Sequence, residues 1–281
     1  MIRAALVFCL LGMAFAARAE PRRVVSTNLC ADQLVLLLAD RDQIVSLSQT
    51  AFEPALSNVV ALARGIPRNH QQAEEIIALK PDLVMSSRYR ELAVNAMLEK
   101  MGFRVATVPS PQSLAESFEV IRSLSRLLGH PERGDAMVAG MERRLKLLAA
   151  GQGSRPRAVV YQANGGTIGE KTLAGELLTR AGLYNLAGDL GVERWGNLSL
   201  EQVINANPDI IIFEKDGQEG NSLAQMALHH PVFRDLKARR QSVAVPSRLW
   251  ECPGPWNMDA VELMAKARAA YLAAHAPRPR S

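Results

Sequence analysis

The chain has little with which to do covalent chemistry. Its 281 residues include three cysteines and five histidines. No Gly-x-Ser-x-Gly elbow, no His-Glu-x-x-His pair and no Cys-x-x-Cys pair occurs. The common nucleophile, zinc-hydrolase and dithiol signatures are therefore missing. His70 has no second histidine at ligand spacing and reads as a surface or capping residue, and His229-His230 precedes a proline and reads as loop. Lysine and arginine are scattered among acids, for a formal net charge of +5, which gives no basic stripe for nucleic acid. No long apolar run follows the first 19 residues, so no membrane-embedded segment is expected there. No catalytic residue, cofactor or nucleic-acid partner is expected.

What is present begins with an address. Arg3 is followed by an uncharged, mostly apolar stretch and then Ala17-Arg18-Ala19, a small-x-small cleavage site before Glu20. This is a secretory leader, 1–19. Cys9 lies inside the apolar stretch behind Phe8, which is not the context of a lipid anchor. A free periplasmic protein is expected. About 260 residues remain, enough for one large domain or two ordinary ones. Residues 276–281 read as a frayed tail. Cys30 and Cys252 survive cleavage, and an exported compartment permits a disulfide. A bridge, a shared metal and two free thiols all stay open.

Three strings recur in the same order in both halves. Pro21-Arg22-Arg23-Val24-Val25 is matched by Pro156-Arg157-Ala158-Val159-Val160. Glu74 through Pro81-Asp82-Leu83-Val84 is matched, at identical spacing, by Glu201 through Pro208-Asp209-Ile210-Ile211. Val105-Ala106-Thr107-Val108-Pro109 is matched by Val243-Ala244-Val245-Pro246. In the second string an amphipathic helix meets proline, which disfavours the helical conformation in the residue before it. A short apolar run follows, as in strands buried on both faces of a parallel sheet. Two copies predict two α/β lobes, 20–130 and 151–275. The segment between them, 131–150, keeps helical spacing and reads as one helix joining the lobes.

Ligands of open α/β sheets collect beyond the carboxyl ends of the strands. The residues there supply the candidate contacts Asn28, Phe52, Arg68, Arg88, Tyr89, Arg90, Asn164, Lys215, Arg248 and Trp250, and Trp195, beside Gly196 in loop-like sequence, joins them. Cations and aromatic faces converging on a cleft suit a large, flat or anionic ligand. Asn164-Gly165-Gly166-Thr167 lacks dinucleotide or P-loop spacing and reads rather as a tight turn.

The run Ala73 to Val84, with Arg23-Val24-Val25-Ser26 and Ser199-Leu200-Glu201-Gln202-Val203, resembles the periplasmic binding proteins of ABC importers for vitamin B12, ferric siderophores and related iron chelates. The similarity extends from Arg23 to about Tyr271. It implies two Rossmann-like lobes joined by a single long helix, a ligand cleft between them and little closure on binding. It implies a monomer that meets a permease dimer with its ATPase, and no reaction on the ligand. By this resemblance Glu74 and Glu201 match two carboxylates that dock on permease arginines. Trp195 matches an aromatic that packs on ligand in vitamin B12 binders, and Phe52 falls near another. Arg68 and Ser87 stand where those binders carry tryptophan, which favours an anionic chelate. The expected function is capture of an iron-siderophore-like chelate for import. Cobalamin comes next, then heme or a free metal ion held by Cys30, His70 and Cys252. A periplasmic enzyme on the same fold is the reading from another class.

Overall fold

A computed structural model describes residues 20–87, 92–148, 153–214, 231 and 240–276. The first half forms a parallel sheet of β1 (Val24–Ser26), β2 (Ile44–Ser48), β3 (Arg68–Asn69), β4 (Leu83–Ser87) and β5 (Val105–Val108), in the order β3-β2-β1-β4-β5. The second half opens with β6 (Arg157–Tyr161) and a short strand β7 (Gly166–Ile168). It continues through β8 (Tyr184–Asn185), β9 (Trp195–Asn197), β10 (Ile210–Glu214) and β11 (Gln241–Val245). Here the parallel sheet runs β11-β10-β6-β8, while β7 pairs antiparallel with β9. The order β2-β1-β4-β5 in one lobe corresponds to β8-β6-β10-β11 in the other. The sequence repeat is thus a repeat of topology.

The strands alternate between two cores, with the period of 2 that a pleated strand imposes. Val24, Leu83, Met85, Ala158, Val160, Ile210 and Ile212 point into one large core, to which both lobes contribute. Val25 and Val84 point to a smaller core on the far side of the first sheet, and Val159, Tyr161 and Ile211 to one on the far side of the second. Both faces of each sheet are covered, which is why the strands read as continuous apolar runs.

The helices follow from the same pattern. The described ones are α1 (Leu29–Leu38), α2 (Val60–Ala63), α3 (Ala73–Ala78), α4 (Leu92–Lys100), α5 (Leu114–Leu128), α6 (Pro131–Leu148), α7 (Leu173–Arg180), α8 (Leu200–Ala206) and α9 (Asn257–Ala274). Ile76 of α3 and Leu98 of α4 cover the outer face of the first sheet, and Val203 of α8 that of the second. α5 opens on Ser113, whose hydroxyl accepts from Glu116 N, and closes on Gly129 at φ 91°. α6 lies against α5, where a Cβ at Gly134 would come within 2.1 Å of Ser125 Oγ. Val138 and Met141 of α6 are buried, and Arg144 reaches Asp259 of α9 at 2.7 Å. The segment assigned to the link is therefore itself part of the shared core.

The two Pro-Asp pairs have a common physical basis. Lys80 and Asn207, each just before proline, sit in the left-handed region at φ 46° and 51°. The chain reverses there because proline closes the right-handed helical route. The Asp82 carboxylate then accepts from Arg22 N and Arg23 N at 2.7 and 2.9 Å, and Asp209 accepts from Arg157 N at 2.8 Å. Each aspartate ties the start of its own strand to the start of the central strand.

Candidate functional site

The lobes meet along a seam that includes a covalent tie. Cys30, at the start of α1, and Cys252, beyond β11, form a disulfide with Cα atoms 5.1 Å apart. Beside it Asn58 and Arg248 bond reciprocally: Asn58 Nδ2 donates to Arg248 O at 2.7 Å, and Arg248 Nη1 donates to Asn58 Oδ1 at 2.8 Å. Further along, Leu114 N donates to Glu176 Oε2 at 2.8 Å, joining the start of α5 to α7.

A cavity of about 490 Å³ opens on this seam. The tip of β5 supplies Ser110, Pro111 and Gln112, and the start of α7 supplies Thr172, Leu173 and Ala174. Arg194 and Trp195 come from the start of β9, which pairs antiparallel with β7, and Trp250 and Glu251 from the loop after β11. Trp195 is 61% exposed, while Trp250 is 3% exposed and packs mainly into the shared core. The sequence placed Trp195 in a loop. It stands instead on a strand opposite Ile168, a pairing hidden by the adjacent Gly196.

The loop bearing Trp250, Glu251 and Cys252 is braced from α9. The Asn257 side chain is fully buried and donates to Leu249 O and Cys252 O, both at 3.0 Å. Its Oδ1 accepts from Gly254 N at 3.0 Å, and Trp256 Nε1 donates to Cys252 O at 2.8 Å. A second brace holds the segment that enters β9. Gly169 N donates to Arg194 O at 2.6 Å and Lys171 N to Glu193 O at 2.9 Å. Lys171 Nζ lies 2.8 Å from Glu193. Its hydrogen bond, with Arg194 adding to it, holds the Glu193 carboxyl below the usual carboxylate range.

The other sequence candidates have different surroundings. Asn28 caps α1, its Oδ1 accepting from Cys30 N and Ala31 N at 3.1 and 3.3 Å. The Arg68 guanidinium lies 4.2 Å from the centre of the Phe52 ring, a cation–π contact at the edge of the first sheet. Asn164 occupies a left-handed turn at φ 57°, and a Cβ on the next residue, Gly165, would come within 2.5 Å of Leu198 O. None of Asn28, Phe52, Arg68, Asn164 and Arg248 lines the cavity. Arg88, Tyr89, Arg90 and Lys215 lie outside the described residues, as does the leader 1–19.

The metal alternative meets a correction. Both thiols are consumed by the disulfide and offer no thiolate. His70 Nδ1 lies 2.8 Å from Glu75 Oε1, and Glu75 also accepts from His70 N at 2.7 Å, which holds its carboxyl low. Among the described residues no three His, Cys, Asp or Glu side chains come together as a metal site.

Glu74 and Glu201 are exposed, each the second residue of its helix, α3 or α8. These helices occupy equivalent places on the outer faces of the two sheets.

The family model described as periplasmic binding protein matches residues 24–242. The chain belongs to this family. A cobalamin-binding protein of Halobacterium salinarum is 28% identical over 199 residues, 69% of this chain and 54% of its own length. The match thus spans about half of that relative. A vitamin B12-binding protein of Pectobacterium carotovorum is 27% identical over 208 residues, 70% of this chain and 72% of its own. Among solved structures, a periplasmic heme-binding protein of Pseudomonas aeruginosa has a TM-score of 0.69 at 24% identity, covering 93% of this chain and 95% of its own. The periplasmic vitamin B12-binding protein of Vibrio cholerae has a TM-score of 0.66 at 23% identity, covering 90% and 98%. At these identities the structural likeness establishes the two-lobed α/β fold. Among the described residues no helix of this family member is long and apolar enough to cross a membrane.

Several residues of the cavity escaped the sequence reading. Gln112 follows β5, whose sequence is one of the repeated strings, so the tip of that strand was a signal left unused. Arg194 and Glu251 carry no local signature, because the β7–β9 pair and the braced loop bring them in from elements far apart in the chain.

Proposed function

We propose that this periplasmic binding protein captures a flat metal chelate of the corrinoid class in the cavity between its lobes and delivers it to an ABC permease. The observation that carries the reading is the exposed Trp195 indole on the cavity wall, 61% exposed, with Trp250 lining the same space. Exposed aromatic surface at a concave site favours a flat partner that covers it. Two of the cations expected from the sequence argue in the same direction. Arg68 stacks on Phe52 and Arg248 bonds to Asn58, and neither lines the cavity where an anionic chelate would sit. The names of the curated relatives point to cobalamin as well.

An anionic ferric chelate is the second reading. It is favoured by Arg88, Arg90 and Lys215, which follow β4 and β10 directly in the sequence. Native mass spectrometry of the exported protein against cyanocobalamin, hemin and a ferric tricatecholate separates the two. Retention of cyanocobalamin supports the first reading. Retention of the ferric tricatecholate alone replaces it with the second.

Delivery rests on Glu74 and Glu201. Their equivalent positions on α3 and α8 present one carboxylate from each lobe, which suits a two-fold partner with matching arginines through steering and register. The leader is proposed to be cut after Ala19 and the chain released into the periplasm. N-terminal sequencing that starts at Glu20 supports this, and a start at Met1 or at an acylated cysteine overturns it.

A further inference from the structure

We infer that Arg194 reads the charge of the ligand, binding one anionic oxygen group, a phosphodiester or carboxylate, carried at the edge of a flat macrocycle. This rests on the reading of the cavity as the ligand site. Arg194 lines that cavity beside Trp195. Its backbone is fixed by the bond from Gly169 N at 2.6 Å. Its acidic neighbour Glu193 is taken by Lys171 at 2.8 Å.

Among the described residues the guanidinium has no carboxylate within ion-pair reach. Its side-chain bond there runs from Nη1 to Gln112 Oε1 at 3.2 Å, across the seam between the lobes. Gln112 is neutral and is itself held. Its Nε2 donates to Ser110 O at 3.1 Å and its backbone N to Glu116 Oε2 at 2.7 Å. With the amide nitrogen engaged behind it, Oε1 is the atom turned to Arg194. A neutral oxygen at the long end of hydrogen-bond range is a weak partner for a guanidinium. Phosphate and carboxylate match its planar fork in two parallel, charge-assisted bonds. An anionic oxygen that displaces Gln112 therefore makes a stronger contact than the one it breaks.

The first turn of α7 lines the same cavity, and the positive end of a helix favours the same sign of charge. The chemistry on the wall fits a body that stacks on indole and carries an anionic arm.

Two corrinoid probes isolate that arm. Cyanocobalamin carries one phosphodiester in its nucleotide loop, and dicyanocobinamide is the same macrocycle without the loop. In calorimetric titration Arg194→Gln weakens cyanocobalamin by about tenfold or more, the worth of a hydrogen bond to a charged group. It leaves dicyanocobinamide unchanged. Gln112→Glu, which places a competing carboxylate at the guanidinium, produces the same selective loss. Equal losses on both probes, or no loss on either, overturn the assignment. A wild-type protein that binds neither corrinoid refutes the corrinoid reading. Hemin and its dimethyl ester then supply the same contrast, free against masked carboxylates. Wild-type protein that binds neither pair overturns this inference together with the cavity reading.

Discussion

At the scale of the residue, the distinction is between side chains spent on the fold and side chains left for a partner. Asn28 and Asp82 are spent: one caps α1, and the other holds two backbone N–H groups at 2.7 and 2.9 Å. Trp195 is left over. Trp195→Ala is expected to weaken cyanocobalamin by about tenfold or more, since a buried aromatic contact is worth about 1.5–3 kcal/mol in area alone. The fold has little to lose, because the ring already faces solvent, so urea unfolding should be unchanged. Quenching titrations that show equal affinity for wild type and variant would remove Trp195 from the site. Asp82→Asn keeps the shape but weakens the acceptor, and should cost about 1–2 kcal/mol in urea denaturation. No change there would show that the Pro-Asp pair acts through proline alone. Trp195 was legible in the sequence as a candidate. Arg194 was not, because no local pattern marks a guanidinium whose partner, Gln112, lies in the other lobe.

Elements carry the next level. After a 3-10 turn at Ser247–Leu249 the loop beyond β11 is irregular, yet it presents Trp250, Glu251 and Cys252 at fixed places because Asn257 and Trp256 hold its backbone from α9. Asn257→Ala leaves Gly254 N without its side-chain acceptor and removes both side-chain donations to buried carbonyls. The expected cost is about 1–3 kcal/mol of stability, with a parallel loss of ligand affinity as the cavity wall loosens. Chemical denaturation and calorimetry on the same preparation check both halves. Unchanged affinity in a destabilised variant would mean that the loop does not shape the site. α3 and α8 form the second element-level pair. Glu74→Ala and Glu201→Ala should preserve ligand affinity and folding while each lowers cellular uptake, with the double variant lower than either. Uptake by the double variant equal to wild type at equal protein level would leave the two carboxylates as helix-start stabilisers only, worth about 0.3–1 kcal/mol each. The repeat made these helices legible. Their equivalence rests on one string, spaced identically from Glu to Pro-Asp.

For the whole molecule, the decisive feature is that the two sheets share one core. Val24, Met85, Val160 and Ile212 belong to it, with α5, α6, α7 and α9 packed among them. Lobes that meet over a large apolar surface do not swing freely. The disulfide, closing a sequence separation of 222 residues, adds a covalent limit. Small-angle scattering of the protein with and without cyanocobalamin should therefore show no measurable change in radius of gyration. A contraction on binding would refute the clamped seam. Cys30→Ser with Cys252→Ser should lower stability by about 2–5 kcal/mol, toward the upper part because the closed loop is long. Urea unfolding of the variant against the oxidised protein measures it. The sequence by itself determined the two α/β repeats, their parallel strands and the places where helices stop at proline, since these follow from apolar periodicity and backbone sterics over a few neighbouring residues. It also named both partners of the disulfide without deciding that they meet. The tertiary structure alone decided that the cysteines pair, that Arg68 and Arg248 are occupied, and that Gln112, Arg194, Trp195 and Trp250 surround one cavity. Those outcomes depend on distances between residues remote in the chain, and such distances are set by how the two sheets pack across their common core.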